Sequence, residues 1–184
     1  VPVFDDFDAL LARGDVDVVV IGTPPDSHAS YCLKSFAAGA HVICEKPFVS
    51  TTDEADRVIA AADAAGRRIA LNHEFREMPI FRALREQLTG TASLPVRFLQ
   101  IWQLMDFPPH AETDWRGQLV QRTLFEGGVH LVDLAMTLFG ETPVSVQAAT
   151  FADQQPATDA VVVATLEFSG GRLAPLPQNG LRRG

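Results

Sequence analysis

Two groups of residues in this sequence have types and spacings that carry chemistry. The first is Val42-Ile43-Cys44-Glu45-Lys46-Pro47, where an apolar run ends on an acid, a base and a proline. A lysine in that place sits at the carboxyl edge of a sheet, where open α/β proteins bind their ligands. The second group is Glu126, His130 and Asp133, spaced four and three residues apart, so that on a regular helix they fall near one face. Oxidising a secondary alcohol requires a base for the hydroxyl proton. Histidine suits that role at neutral pH, and a neighbouring carboxylate fixes its tautomer and favours its charged form. Each group also has a plain structural reading. Lys46 alone reads as a solvated residue at a strand end, and His130 alone as a buried histidine bonded to a carboxylate.

The elements that must position these residues follow from periodicity. Phe7, Leu10 and Leu11 form one face of a helix stopped by Gly14, and the near-continuous apolar run Val16 to Gly22 predicts a parallel strand covered on both faces. The turn from Thr23 to His28 offers Asp26 or Ser27 as an N-cap. The helix after it buries Ala29, Cys32, Leu33, Phe36 and Ala37 and stops at Gly39. Beyond Pro47, Thr51 and Glu54 stand in capping-box spacing before a helix that buries Ala55, Val58, Ile59 and Ala62 and ends at Gly66. Arg68 to Asn72 is the next strand. Strands separated by helices imply right-handed crossovers and a parallel sheet.

The pattern then changes. Phe81, Leu84 and Leu88 mark a helix before Gly90, and strand-like segments follow at Val96–Met105, Val144–Phe151 and Ala160–Phe168. A helix from about Gly127 to Phe139, ended by Gly140, lies among them, and Gly170-Gly171 forms a hairpin-like turn. The expected fold class is α/β, a parallel sheet followed by an α+β domain with a mainly antiparallel sheet. The boundary falls between Asn72 and Arg76, giving domains at 1–74 and 75–184, the second expected to be incomplete.

Composition excludes several classes. With 184 residues, 47% hydrophobic and 21% charged, the chain has the make-up of an ordinary globular protein. A formal net charge of −8 opposes a nucleic-acid partner, which needs a clustered basic face. No apolar run approaches the roughly 20 residues that span a bilayer. Asp5, Asp6 and Asp8 at the start do not resemble a signal peptide, so the expected location is cytoplasmic and no membrane partner is expected. Cys32 and Cys44 read as buried thiols. No metal is expected, since His73-Glu74 lacks a second histidine and His110-Ala111-Glu112 lacks a following Cys-x-x-Cys.

Thr23-Pro24, His28, Gly39, His41-Val42 and Glu45-Lys46-Pro47 recur together at a spacing that resembles the Gfo/Idh/MocA oxidoreductases, the glucose-fructose oxidoreductase and inositol dehydrogenase family. The resemblance continues through Glu74-Phe75-Arg76 and Gly127-Gly128-Val129-His130. It implies a partial Rossmann-type sheet and NAD or NADP as cofactor. No G-x-G-x-x-G occurs in the sequence, and comparison with the family suggests that two strand-helix units precede Val1, so the chain reads as a fragment. The segment that chooses between NAD and NADP lies after the second strand of such a fold, outside this sequence.

By the same resemblance His130 is the candidate base and Glu126 its acidic partner, where aspartate is more usual. Thr123-Leu124-Phe125 replaces the commoner glycine-rich lead-in. Lys46 donates to the substrate oxygen. Thr23 and Pro24 line the nicotinamide side, and Glu45 pairs with Lys46 or joins the cofactor end. Trp102, Trp115 and Arg116 are candidates for a substrate wall, because aromatic faces suit sugars and arginine forks onto hydroxyls or a carboxylate; Asp133 joins them as a substrate residue. Trp102 also fits ordinary sheet packing. Arg76, after the boundary, is a candidate bridge between the domains, and His28 a candidate structural hydrogen bond. The expected partners are a small-molecule substrate and a second copy, paired through the second-domain sheet. Two other readings stand beside the enzyme: a nucleotide-sensing regulator without turnover, and an inactive truncated product, for which the Pro175 and Pro177 tail speaks.

Overall fold

Residues 2–89, 96–104, 115, 119, 121–152 and 159–179 are described in the computed structural model of the chain, which divides into two units, Val1–Asn72 and His73–Gly184. In the first unit α1 (Phe7–Leu11) opens at Asp6, whose side chain accepts from the Asp8 N–H at 3.0 Å. Strands β1 (Val18–Ile21), β2 (His41–Cys44) and β3 (Ile69–Leu71) lie parallel in that order, with Ile21 opposite Cys44 and Cys44 opposite Leu71. Helices α2 (Pro25–Ala37) and α3 (Thr52–Ala64) connect them. Val19, Ile21, Val42 and Cys44 point into one core with Cys32, Phe36, Val58 and Ala62. At Gly39 the chain takes φ +83°, which glycine reaches without steric cost, and so turns from α2 into β2.

Several details differ from expectation, each for a local reason. Helix α2 begins at Pro25 with Pro24 before it and no side-chain cap. Proline at the first position has no N–H to satisfy and a preset φ, and Ser27 instead bonds the Thr23 hydroxyl at 2.7 Å and the Pro24 carbonyl at 2.8 Å. β1 is covered on one face only: Val18 and Val20 are 49% and 70% exposed. A continuous apolar run does not say which faces are covered. Leu33 is half-buried and Ala37 and Ile59 are exposed, while the polar His28 and Ser35 take buried places on α2. Thr51 caps α3 through the Glu54 N–H, but the Glu54 carboxylate reaches the Ser50 N–H, one residue outside the usual box.

In the second unit a 3₁₀ turn (Glu74–Glu77) and α4 (Pro79–Thr89) precede a four-stranded sheet, ordered β4-β7-β6-β5 among the described residues. Its strands are β4 (Gln103–Leu104), β5 (Ser145–Ala152), β6 (Asp159–Phe168) and β7 (Arg172–Asn179). β5, β6 and β7 pair antiparallel, and β4 joins β7 in parallel. Helix α5 (Val129–Phe139) packs Leu131, Ala135 and Phe139 on Leu166, Phe168, Ala174 and Leu176. Gly140 ends it in the left-handed conformation, its N–H bonded to the Met136 carbonyl at 2.8 Å.

Two expectations need correction here. The strand expected over Val96–Met105 is regular only at Gln103–Leu104, with an isolated bridge from Phe98 to Leu173; Met105 lies outside the described residues. The supposed proline tail is strand β7, lying between β6 and β4. Among the described residues no helix is long and apolar enough to cross a membrane.

Candidate functional site

The first unit gathers its chemical residues at the carboxyl ends of β1 and β2. The Glu45 N–H donates to the Ile21 carbonyl at 2.9 Å, so the chain leaves β2 still in register with β1. Thr23 and Pro24 are exposed, and Glu45 and Lys46 are half-buried. Glu45 accepts from Asn72 Nδ2 at 2.5 Å and from the Lys46 N–H at 3.2 Å, which fixes the acid against the backbone that carries the lysine. The Lys46–Pro47 peptide bond is cis. His28 is fully buried, with Nδ1 3.0 Å from the Pro47 carbonyl and 2.9 Å from that of Phe48, and Nε2 2.7 Å from the Thr23 carbonyl.

An open cavity of about 280 Å³ lies beside β1, lined by Phe4, Phe7, Leu10, Val20, Tyr31 and Thr23 among others. Lys46 is not part of its wall. Cys32 and Cys44 are buried and free. They share a hydrogen bond that lowers the Cys32 thiol and, with burial, raises that of Cys44.

In the second unit Glu126, His130 and Asp133 each have a partner elsewhere in the sequence. Residues Leu124–Gly128 form a π-turn ahead of α5. Such a turn bonds i to i+5. Glu126 accepts from Arg122 Nε at 2.9 Å, and both side chains are largely buried. His130, 4% exposed, has Nε2 3.5 Å from Glu74 Oε1 and lies under the Phe75 ring, with centroids 4.6 Å apart and planes at 19°. Asp133 accepts from Arg76 through both carboxylate oxygens, at 2.7 Å from Nε and by a short bond from Nη2, and His73 Nε2 stands 3.8 Å away. These bonds raise the Arg76 guanidinium above its ordinary value.

Arg76 therefore has its partner inside its own unit. Glu74 and His73 were not anticipated as site residues. Glu74-Phe75-Arg76 carried a family signal, but nothing in the spacing ties Glu74 to a histidine 56 positions later. Trp115 is half-buried, Arg116 lies outside the described residues, and Trp102 is 64% exposed. Among the described residues no cluster of His, Cys, Asp and Glu could hold a metal ion.

Comparison with known proteins bears on this arrangement. Residues 1–73 match the model of the oxidoreductase family with an NAD-binding Rossmann fold, and residues 81–179 match the GFO/IDH/MocA C-terminal domain. The chain is 31% identical over 173 residues to a UDP-N-acetylglucosamine 3-dehydrogenase of Acidithiobacillus ferrooxidans, covering 94% of this chain and 51% of that protein. It resembles the aldose-aldose oxidoreductase of Caulobacter crescentus at a TM-score of 0.87 and 26% identity, over 96% of this chain and 54% of that one. It also resembles GenD2 of gentamicin A biosynthesis, solved with NAD, at a TM-score of 0.88 and 26% identity, over 100% and 53%. The chain spans about half the length of these relatives. It belongs to the Gfo/Idh/MocA oxidoreductase family, its first unit matching the model of the family's NAD-binding Rossmann fold and its second that of the family's C-terminal domain.

Proposed function

We propose that this chain serves an NAD(P)-dependent oxidoreductase that moves hydride between the nicotinamide and a hydroxyl or carbonyl of a sugar, polyol or related small molecule. The observation that carries the reading is Lys46 at the carboxyl end of β2, one strand from Thr23-Pro24 at the end of β1, in a chain matched to this family. These strand ends fit the nicotinamide end of a dinucleotide, with Thr23, Pro24, Glu45 and Lys46 as its contacts. The sequence holds no G-x-G-x-x-G to cradle a pyrophosphate. Residues 1–74 are then the later part of a dinucleotide-binding domain, and 75–184 a substrate and oligomerisation domain. A cytoplasmic setting belongs to the same proposal.

When bound, the cofactor supplies the hydride acceptor or donor. Lys46 donates to the substrate oxygen and steadies charge that develops there. His130 takes the hydroxyl proton in the oxidative direction and returns it in the reductive one. Glu74, with Oε1 3.5 Å from Nε2, is placed to orient the ring. Glu126 acts through Arg122, and Asp133 meets substrate only together with the guanidinium of Arg76. Trp115 and Arg116 remain candidates for the substrate wall. The relatives named above are a dehydrogenase and an oxidoreductase, so neither a non-catalytic regulator nor an inactive fragment is favoured.

In the protein that carries this chain, Lys46→Met and His130→Ala are each expected to lower kcat by roughly 10² to 10⁴, with cofactor affinity changed much less. Steady-state kinetics on a panel of sugars and polyols, with cofactor binding measured separately, test this. Near-parental turnover by both variants would overturn the assignment.

A further inference from the structure

His28 lies in the first turns of α2, yet all three of its ring contacts leave the helix. Nε2 reaches the Thr23 carbonyl at 2.7 Å, in the connection from β1 to α2. Nδ1 reaches the Pro47 and Phe48 carbonyls at 3.0 and 2.9 Å, in the connection from β2 to α3. The ring is 0% exposed, so no bulk water substitutes for any of these partners. A carbonyl oxygen only accepts, and a neutral imidazole carries one N–H. With a single proton on the ring, the other nitrogen would turn its lone pair toward a carbonyl oxygen at hydrogen-bonding distance. A ring that donates from both nitrogens satisfies all three.

Two effects oppose that state. Burial disfavours charge, and the positive end of the α2 dipole disfavours a cation. Against them stand three inward-facing carbonyl dipoles and the cost of leaving a buried nitrogen facing an oxygen. The charged residues on the neighbouring elements are Asp26 and Lys34 on α2, Glu45 and Lys46 after β2, and Asp53, Glu54, Asp56, Arg57 and Asp63 on α3. Asp26 is exposed, Lys34 is bonded to Asp8, Glu45 is bonded to Asn72 and the Lys46 N–H, and those on α3 are exposed but for the half-buried Glu54. The ring contacts named above are all with main-chain oxygens.

We propose that His28 is a positioning residue that donates from both ring nitrogens, clasping the Thr23 carbonyl to those of Pro47 and Phe48 and so setting the backbone of Lys46 against Thr23-Pro24. The functional part of this inference rests on the role proposed for Lys46. The clasp holds the chain on the carboxyl side of Lys46. On the amino side the Glu45 N–H bond to Ile21 at 2.9 Å does the same, and between them the lysine backbone has little freedom.

Two experiments test it. In the protein that carries this chain, with ¹⁵N-labelled histidine, at neutral pH, both His28 ring nitrogens are expected to show the chemical shift of a protonated nitrogen, with slowly exchanging hydrogens. A pyridine-type nitrogen on His28 overturns double donation, whether or not the protein is an enzyme. In the protein that carries this chain, His28→Asn is expected to lower kcat by up to roughly 10²-fold, and His28→Asn combined with Lys46→Met to lose no more than Lys46→Met alone. Additive losses would show that His28 acts apart from Lys46 and overturn the positioning role. If Lys46→Met itself has no effect, the functional reading fails while the nitrogen shifts still decide the clasp. Should His28→Asn fail to fold, the unsubstituted labelled protein still gives the answer.

Discussion

A Cβ built on Gly128 would lie 2.7 Å from Leu124 Cδ1 and 2.8 Å from Gln178 Nε2. Both are side-chain ends, but Gln178 is 2% exposed in β7 and has little room to turn, while Leu124 is half-buried. The amide of Gln178 has no hydrogen-bond partner among the described residues, so a forced rotation moves it within a packed space rather than into a waiting bond. Gly128→Ala is therefore expected to destabilise the protein by about 1 to 3 kcal/mol, the usual cost of overpacking. Urea unfolding followed by circular dichroism checks it, and an unchanged midpoint would mean that the π-turn relaxes freely. At the residue scale the types and order of Lys46, Glu126, His130 and Asp133 are readable, because chemistry chooses side chains. Their pairings are not, because Glu74 and Arg76, the partners of His130 and Asp133, lie more than fifty residues earlier, where no spacing rule connects them.

Glu141 shows how the elements of the second unit are tied. Its carboxylate accepts from the Ser169 N–H at 3.0 Å and the Ser169 hydroxyl at 2.8 Å, and from Arg172 Nη2 by a short bond. It thus links the segment after α5 to the turn between β6 and β7. The Ser169 bonds first, then Arg172, hold this carboxyl below the usual carboxylate range. A depressed folded-state value means that the stabilisation is fully present above the unfolded value and is lost as pH falls through the folded one. Glu141→Gln is accordingly expected to be less stable than the parent at neutral pH, with the gap closing in acid. Thermal unfolding across that range measures it, and a gap that widens toward low pH would contradict the assignment. At this scale β7 was the element that sequence rules hid, since proline is confined to edges and bulges. Leu173 donates to the Arg97 carbonyl, and Leu173 and Pro175 accept from Leu99 and Ile101. Odd-numbered residues of β7 therefore turn their N and O atoms away from β6, and Pro175 and Pro177 forfeit no bond to it. The parallel sheet of the first unit was legible because its strands and helices alternate in order and each helix end has its own turn residue.

Each unit closes a core of its own, and what each leaves uncovered differs in kind. In the second unit α5 covers one face of the sheet, where Val162, Ala164, Leu166 and Phe168 are buried. The other face carries Phe151, Val163, Leu173 and Phe98 at 62%, 43%, 38% and 58% exposure, on neighbouring strands in register. Pro175 and Pro177 stand on the same side, and their rigid rings make that surface firm. Gln147, Thr165 and Glu167 share that face, but apolar surface of this extent is still costly to leave in water, and a second copy supplies a self-complementary cover by two-fold pairing. We propose that this face joins two copies, over an area on the order of 800 Å² per partner if the interface is of ordinary size. Sedimentation velocity at micromolar concentration is expected to show a dimer or a larger symmetric assembly. Val163→Glu places a charge at the centre of the patch and points away from α5, so it is expected to shift the protein toward monomer while leaving the circular dichroism spectrum unchanged. A parent protein that sediments as a monomer would remove the proposal, and so would a Val163→Glu variant that remains as associated as the parent.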